Sequence, residues 1–292
     1  MKALIFIETK DGSPIGTSLE LFTAAKEIGA EAVAVSVNGK EGVLEEDLVA
    51  AALADKAKAE NAELILLSAT TLGKLVTGRV AGRLGGGSVN DVISVAVEDG
   101  KVAVIRPVYG GTIREKIVVQ ASPAVISVRG GSYEAPEDAP AAETIDAADG
   151  DIRTKVVELI EEAGEAVNLE DAAIIVTGGR GMGDEENFQL CAQLAEALGG
   201  VVGATRPAIE NNWIGRSHQV GQSGKIVNPD LYIACGVSGA TQHVSGMMGS
   251  KYIIAINKDE DAPIFSIADI GIVGDVKQIL PLMIEEVNKR KA

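Results

Sequence analysis

Five short apolar runs in the second half of the chain each stop on small, polar or cationic residues. "AAIIVT" (172–177) leads into Gly178, Gly179 and Arg180, and "VVGAT" (201–205) leads into Arg206. "LYIAC" (231–235) runs into "GVSGATQH" (236–243), "YIIAIN" (252–257) ends on Asn257, and "IGIV" (270–273) precedes Asp275. Such ends offer backbone N–H groups, hydroxyls and guanidinium groups rather than nucleophiles or metal ligands. Glycine turns let N–H groups face an anion, and a cation beside them pairs with it. In an open parallel sheet, ligands sit at the carboxyl ends of the strands. The set therefore suits a phosphate-containing dinucleotide better than a metal ion or an acyl intermediate.

Other chemistries lack their residues. The histidines are His218 and His243, and the cysteines are Cys191 and Cys235, far apart and without a CxxC or Cys/His cluster. Zinc, a disulfide framework and acid/base hydrolysis are disfavoured, and no metal site is expected. The balance of 26 basic and 42 acidic residues, net −16, argues against sequence-independent binding to nucleic acid or anionic membrane. At 3% aromatic residues, stacking platforms for single strands are few. No run approaches a membrane span, and the apolar run 3–7 is too short for a signal-peptide core, so it reads as a first strand. With unpaired cysteines, the expected setting is cytoplasmic.

The elements that must position these residues follow from periodicity. In the first half, strand-like "ALIFIE", "AEAVAVSV" and "ELILLSA" alternate with helical "TSLELFTAAKEIG", "LEEDLVAAALADKAKAENA" and "TLGKLVTGRVAGRLGG". Then "EDG" and "YGG" turns join β-rich runs over 91–119. Residues 132–151 are Ala-, Pro- and acid-rich without apolar periodicity, and a helical stretch, 152–167, follows. We expect an α/β protein of two Rossmann-like, three-layer α/β/α domains, each with a mostly parallel sheet. The expected boundaries are 1–131 for a partner-docking domain, 132–171 for an acidic linker and connecting helix, and 172–292 for the ligand-binding domain.

Pattern alone leaves alternatives. "TGGRGMGDEENF" is not a GxGxxG fingerprint, because position 184 is Asp, and it also fits an ordinary strand-to-helix turn. Arg206 in "GATRPAIE" also reads as a surface arginine, and "VGQSGKIVNPD" as a plain connector. Ser238 is a candidate cap for a helix beginning near Gly239, with His243 about a turn along.

Taken in order, "GGRGMGDEENF", "GATRPA", "QVGQSGKIVNPDLYIACGVSGATQHVSGM" and "AINKDEDAPIFSIADIGIVGD" resemble the alpha subunit of electron transfer flavoproteins. "GRVAGRLGGGSVNDV", "RPVYGGTI" and "SVRGGSYE" extend the resemblance over nearly all the chain except the linker. It implies FAD as cofactor. By the resemblance Arg180 is a cofactor contact, and Thr205, where the family often has Ser, sits beside Arg206 over the flavin ring. Val220, Gly221, Gln222 and Ser223 contact the ring, with the Ser223 hydroxyl near N5, where many members carry Thr. Ser238, Gly239, Ala240, Thr241, Gln242 and His243 span phosphate and ring contacts, with His243 near the C2 carbonyl. Asn257, Asp275 and Val276 complete the nucleotide end.

The activity implied is electron carriage through an anionic semiquinone, tuned by Arg206, Ser223 and His243, with no side chain acting as nucleophile. The chain then reads as a redox carrier rather than a stand-alone enzyme. It is expected to form a heterodimer with a beta subunit and to pass electrons from flavin-containing dehydrogenases to a downstream acceptor. The alternative is a nicotinamide-nucleotide subunit, transhydrogenase-like or sirtuin-like. The missing GxGxxG and the missing acidic ribose partner about 20 residues later speak against it.

Overall fold

The computed structural model describes residues 1–10, 12–39, 46–147 and 169–291. The chain divides into two compact units, Met1–Ile160 and Glu161–Ala292.

The first unit runs β1 (Lys2–Phe6), β2 (Thr9–Lys10), β3 (Ser13–Pro14), α1 (Gly16–Glu27), β4 (Glu31–Asn38), α2 (Glu46–Glu60), β5 (Leu64–Ser68) and α3 (Thr71–Leu84). It continues through β6 (Gly87–Val92), β7 (Ser94–Glu98), β8 (Lys101–Val108), β9 (Ile113–Val118), β10 (Ala124–Val128) and β11 (Glu143–Asp146). Six strands form a parallel sheet in the order β11-β4-β1-β5-β10-β6. Its central strands β1, β5 and β10 are almost continuous apolar runs because both faces are covered. Ala3, Ile5, Leu64, Leu66 and Ile126 pack with α1 and the β7–β9 sheet. Leu4, Phe6, Ile65, Leu67 and Val125 pack with α2 and α3. The β7–β8–β9 meander is antiparallel, and its first turn places Asp99 and Gly100 at φ 49° and 76°. A two-residue hairpin with both central residues left-handed matches the twist of its strands.

The stretch read as an acidic linker contains β11, a parallel edge strand against β4. Its sequence, "ETID", is mostly polar because only Ile145 packs on the core, while Thr144 shares a hydrogen bond of 3.0 Å with Ser36 and Glu143 pairs with Lys56 at 2.7 Å. The helix expected over 152–167 lies outside the described residues.

The second unit runs β12 (Ile174–Gly178), α4 (Glu185–Leu198), β13 (Val201–Ala204), α5 (Arg206–Glu210), β14 (Leu231–Cys235), α6 (Thr241–Val244), β15 (Tyr252–Asn257), β16 (Ile270–Val273) and α7 (Val276–Lys291). The five strands expected from sequence are all present, in a parallel sheet of order β13-β12-β14-β15-β16. The order reverses between β12 and β14, which defines the switch point where a doubly wound sheet opens a crevice. Side chains alternate across the sheet. Val176, Ile233, Cys235 and Ile256 face α4 and α7, while Ile175, Tyr232, Ala234, Ile253 and Ala255 face a layer of loops and the single-turn α6. Asp184 caps α4 by accepting from Asn187 N at 2.8 Å, and Gly199 ends it in the left-handed region. No helix among the described residues is long and apolar enough to cross a membrane.

Candidate functional site

A cleft of about 800 Å³ lies along the carboxyl edge of the second sheet. It takes Gly179–Gly181 from the end of β12, Thr205–Pro207 from β13, Gly236–Ser238 from β14, Asn257–Asp259 from β15 and Gly274–Val276 from β16. All five strand ends contribute, so four interstrand steps of about 4.8 Å give about 19 Å along the edge. That is the length scale of a dinucleotide rather than a mononucleotide. Of the residues expected at a site, all line this cleft except Gly239 and Thr241.

Glycine lets two loops touch across the switch point. Gly236 has φ 61°, and a Cβ there would lie 2.8 Å from the Cα of Gly181. Gly181 N donates to Gly236 O at 2.9 Å, Gly179 N to Cys235 O at 2.9 Å, and Gly236 N to Ile256 O at 2.9 Å. Those N–H groups are thus spent inside the protein. The N–H groups from Val237 to Gln242 donate to nothing among the described residues, and Val237, Ser238, Ala240 and Gln242 line the cleft. These, rather than the first glycines, are the donors left for a ligand. Ser238 does not cap a helix: α6 starts two residues later than expected, behind Ala240, with no side-chain cap.

The segment 219–225 forms the wall beyond β13. Val220 N donates to Ala204 O at 3.0 Å and Gln222 N to Gln242 O at 2.7 Å, so the segment is held between β13 and α6. Ser223 Oγ accepts from Gln219 Nε2 at 2.9 Å, which leaves the Ser223 hydroxyl proton free for an acceptor in the cleft. Gln219 is buried and lines the cleft. Sequence reasoning missed it as a site residue, although it stands four places before Ser223.

His243 is buried beside this loop. Its Nδ1 lies 3.0 Å from Val220 O and its Nε2 lies 2.9 Å from Tyr232 Oη. Burial lowers its pKa to about 4, against a smaller opposing effect of the Val220 carbonyl. Burial likewise raises the Tyr232 phenol, so it stays protonated.

Thr205 is only 6% exposed, lines the cleft, and its Oγ1 has no hydrogen-bond partner among the described residues. A buried orphan hydroxyl costs stability unless something satisfies it. Three cations, Arg180, Arg206 and Lys258, face the cleft against two carboxylates, Asp259 and Asp275. This is a local excess of positive charge in a chain of net −16. Arg180 is exposed at the turn after β12, and Arg206 pairs with Glu210 at 2.8 Å in an exposed i,i+4 contact. Asn257 ties the loops together, donating to Val237 O at 2.9 Å and accepting from Asp259 N at 3.1 Å. Asp275 Oδ1 accepts from Lys277 N at 2.9 Å at the start of α7. Lys258, Gly236 and Val237 join the cleft without having been singled out. Only the strand-end rule, applied one residue further along, points to them.

Residues 168–248 match the electron transfer flavoprotein FAD-binding domain, and residues 44–154 match the electron transfer flavoprotein domain. The electron transfer flavoprotein subunit alpha of Thermoanaerobacterium thermosaccharolyticum is 38% identical over 322 residues, covering 98% of each chain. The chain belongs to the electron transfer flavoprotein alpha-subunit family. Protein FixB of Clostridium saccharobutylicum is 41% identical, covering 93% of this chain and 84% of its own. The subunit alpha of Megasphaera elsdenii is 46% identical, covering 80% and 72% respectively. The cofactor of the family's domain at 168–248 is FAD. The cleft meets its demands on independent grounds: length for a dinucleotide, unspent N–H groups and cations for a diphosphate, and an orphan hydroxyl in the wall.

Proposed function

We propose that this subunit holds one FAD along the carboxyl edge of its second sheet and serves as an electron carrier. The observation that carries the reading is the continuous cleft across all five strand ends, with Thr205 Oγ1 buried and unsatisfied in its wall. FAD, when bound, supplies the one- and two-electron redox chemistry. Arg180 and the free N–H groups from Val237 to Gln242 suit the diphosphate. Thr205, Arg206 and the loop Val220–Ser223 suit the ring, and Asn257, Asp275 and Val276 suit the adenosine end. Ser223 offers a hydroxyl proton, and Arg206 offers a cation that favours added negative charge. Residues 169–292 then form the cofactor-bearing domain, with residues 1–147 as the surface for the partner.

The partner proposed is a beta subunit, in a heterodimer that takes electrons from flavin-containing dehydrogenases and delivers them to a downstream acceptor in the cytoplasm. The test is to co-express both chains, purify the complex, release the cofactor with acid and weigh it. One FAD per heterodimer cleft of this chain is expected. FMN, a nicotinamide nucleotide or no cofactor in an assembled complex overturns the reading.

A further inference from the structure

The wall segment 219–225 closes on itself. Gln219 N donates to Arg216 O at 3.0 Å and Lys225 N donates to Gln219 O at 2.8 Å, so the Gln219 backbone is fixed at both polar groups. Gly221 N donates to Lys225 O at 3.1 Å and Gly224 N to Gly221 O at 2.9 Å, which folds the chain back between them. The turn sits directly on Gln219, since a Cβ on Gly224 would lie 2.3 Å from Gln219 O and 3.0 Å from its Cγ. The Gln219 side chain is thereby held, 6% exposed, at the foot of the turn that carries Ser223. Its Nε2 faces Ser223 Oγ at 2.9 Å, and the Ser223 hydroxyl has no other partner among the described residues. A serine hydroxyl turns about its C–O bond, so at an exposed position such as Ser223 its proton has no fixed direction unless a neighbour sets one. An amide nitrogen can only donate, whereas an amide oxygen in its place would take the hydroxyl proton away from the cleft.

We infer that Gln219 is a positioning residue: its side chain presents the amide nitrogen to Ser223 Oγ and so turns the hydroxyl proton toward the cofactor. A donor aimed in advance at the place where charge develops needs no reorganisation when the charge arrives. Gln219 carries no charge of its own, so its influence on the cofactor runs through Ser223. The inference rests on the FAD reading of the cleft.

The test is a double-mutant cycle in the heterodimer, read by the potential for adding the first electron. Ser223→Ala removes the donor and should weaken acceptance of that electron about tenfold, or about 59 mV. Gln219→Met keeps the side-chain length but frees the hydroxyl to turn, so the fall should be about threefold, or about 28 mV. With both substitutions the fall should equal that of Ser223→Ala alone, because Gln219 has nothing left to act on. Gln219→Glu gives a second route. A carboxylate only accepts and takes the hydroxyl proton, so adding Ser223→Ala to it should shift the potential no further. Falls that add in the double variant, or an unmoved potential in Gln219→Met, overturn the inference. A wild-type potential in Ser223→Ala means that the proton already points away from the cofactor, and overturns it too. Loss of FAD from both Gln219 variants also overturns it, since the side chain would then hold the wall rather than the hydroxyl. If the assembled wild-type complex holds no FAD, the cofactor reading fails instead; FAD bound with additive shifts leaves that reading standing and removes only the positioning role.

Discussion

Arg206 carries a full charge to the cleft and pairs with Glu210 in an exposed i,i+4 contact. Such pairs contribute about 0–1 kcal/mol, so Arg206→Ala should leave the melting temperature nearly unchanged. If the guanidinium faces the flavin ring, its loss should lower the potential for adding the first electron. We expect a drop of tens of millivolts, where about 59 mV is tenfold for one electron. Spectroelectrochemical titration reads it, and an unmoved potential removes Arg206 from the ring. Arg180→Ala should behave differently, with FAD occupancy falling while the potential of retained flavin holds. His243 makes a separate prediction about acid. Its folded pKa of about 4 lies below the unfolded value of about 6.5, so the unfolded chain binds the extra proton first. Stability from this group is full above about pH 6.5, declines as pH falls toward 4, and then levels off, with a span of at most about 3 kcal/mol. Thermal melts from pH 7 to 4 should show that loss, and His243→Asn should flatten it. Arg180 and Arg206, which line the cleft, stand just beyond apolar runs in the sequence, whereas Ser223 entered only through the family resemblance. The state of His243 was not legible, because it depends on Tyr232 and Val220, which reach it through the fold rather than along the sequence.

Elements set which glycines matter. Gly236 follows β14 with φ 61°, and a Cβ there would lie 2.8–3.0 Å from backbone atoms of Gly181 and Met182, so no flexible side chain could yield to it. Gly236→Ala should destabilise the second unit by about 2–4 kcal/mol through left-handed strain and backbone overlap. It should also cost FAD, because Ser238 and Ala240 are aimed by the same loop. Denaturant melts and flavin content test both, and a wild-type midpoint with full flavin contradicts the packing argument. The strands of this unit were readable because parallel strands buried on both faces are continuous apolar runs bounded by small residues. The wall at 219–225 was not readable as an element. Its regularity comes from bonds to Ala204 and Gln242 rather than from a period of its own. The edge strand β11 escaped for a related reason: it buries little and is held by pairing with β4.

At the scale of the whole chain, two apolar clusters are built from residues 3–147 and two others from residues 169–284. Each unit thus has its own core, which is the requirement for a domain able to fold alone. The composition of 132–151 does not reveal that β11 belongs by pairing to the first sheet. The first unit also differs at its own switch point. There Thr70 Oγ1 donates to Glu8 at 2.6 Å, and Ser18 and Ser68 share a bond of 2.9 Å between β1, β5 and α1. Side chains of the unit stitch the strand ends that the second unit leaves open as a cleft. Division of labour should therefore survive cutting the chain. A fragment of residues 169–292 should fold with its five-stranded sheet and take up FAD on refolding. A fragment of residues 1–147 should take up none and should co-purify with the beta subunit. Flavin absorbance and light scattering on each fragment read the outcome. Flavin on the first fragment, or a folded second fragment that refuses FAD while the intact chain binds it, breaks the assignment of cofactor to one unit and partner to the other.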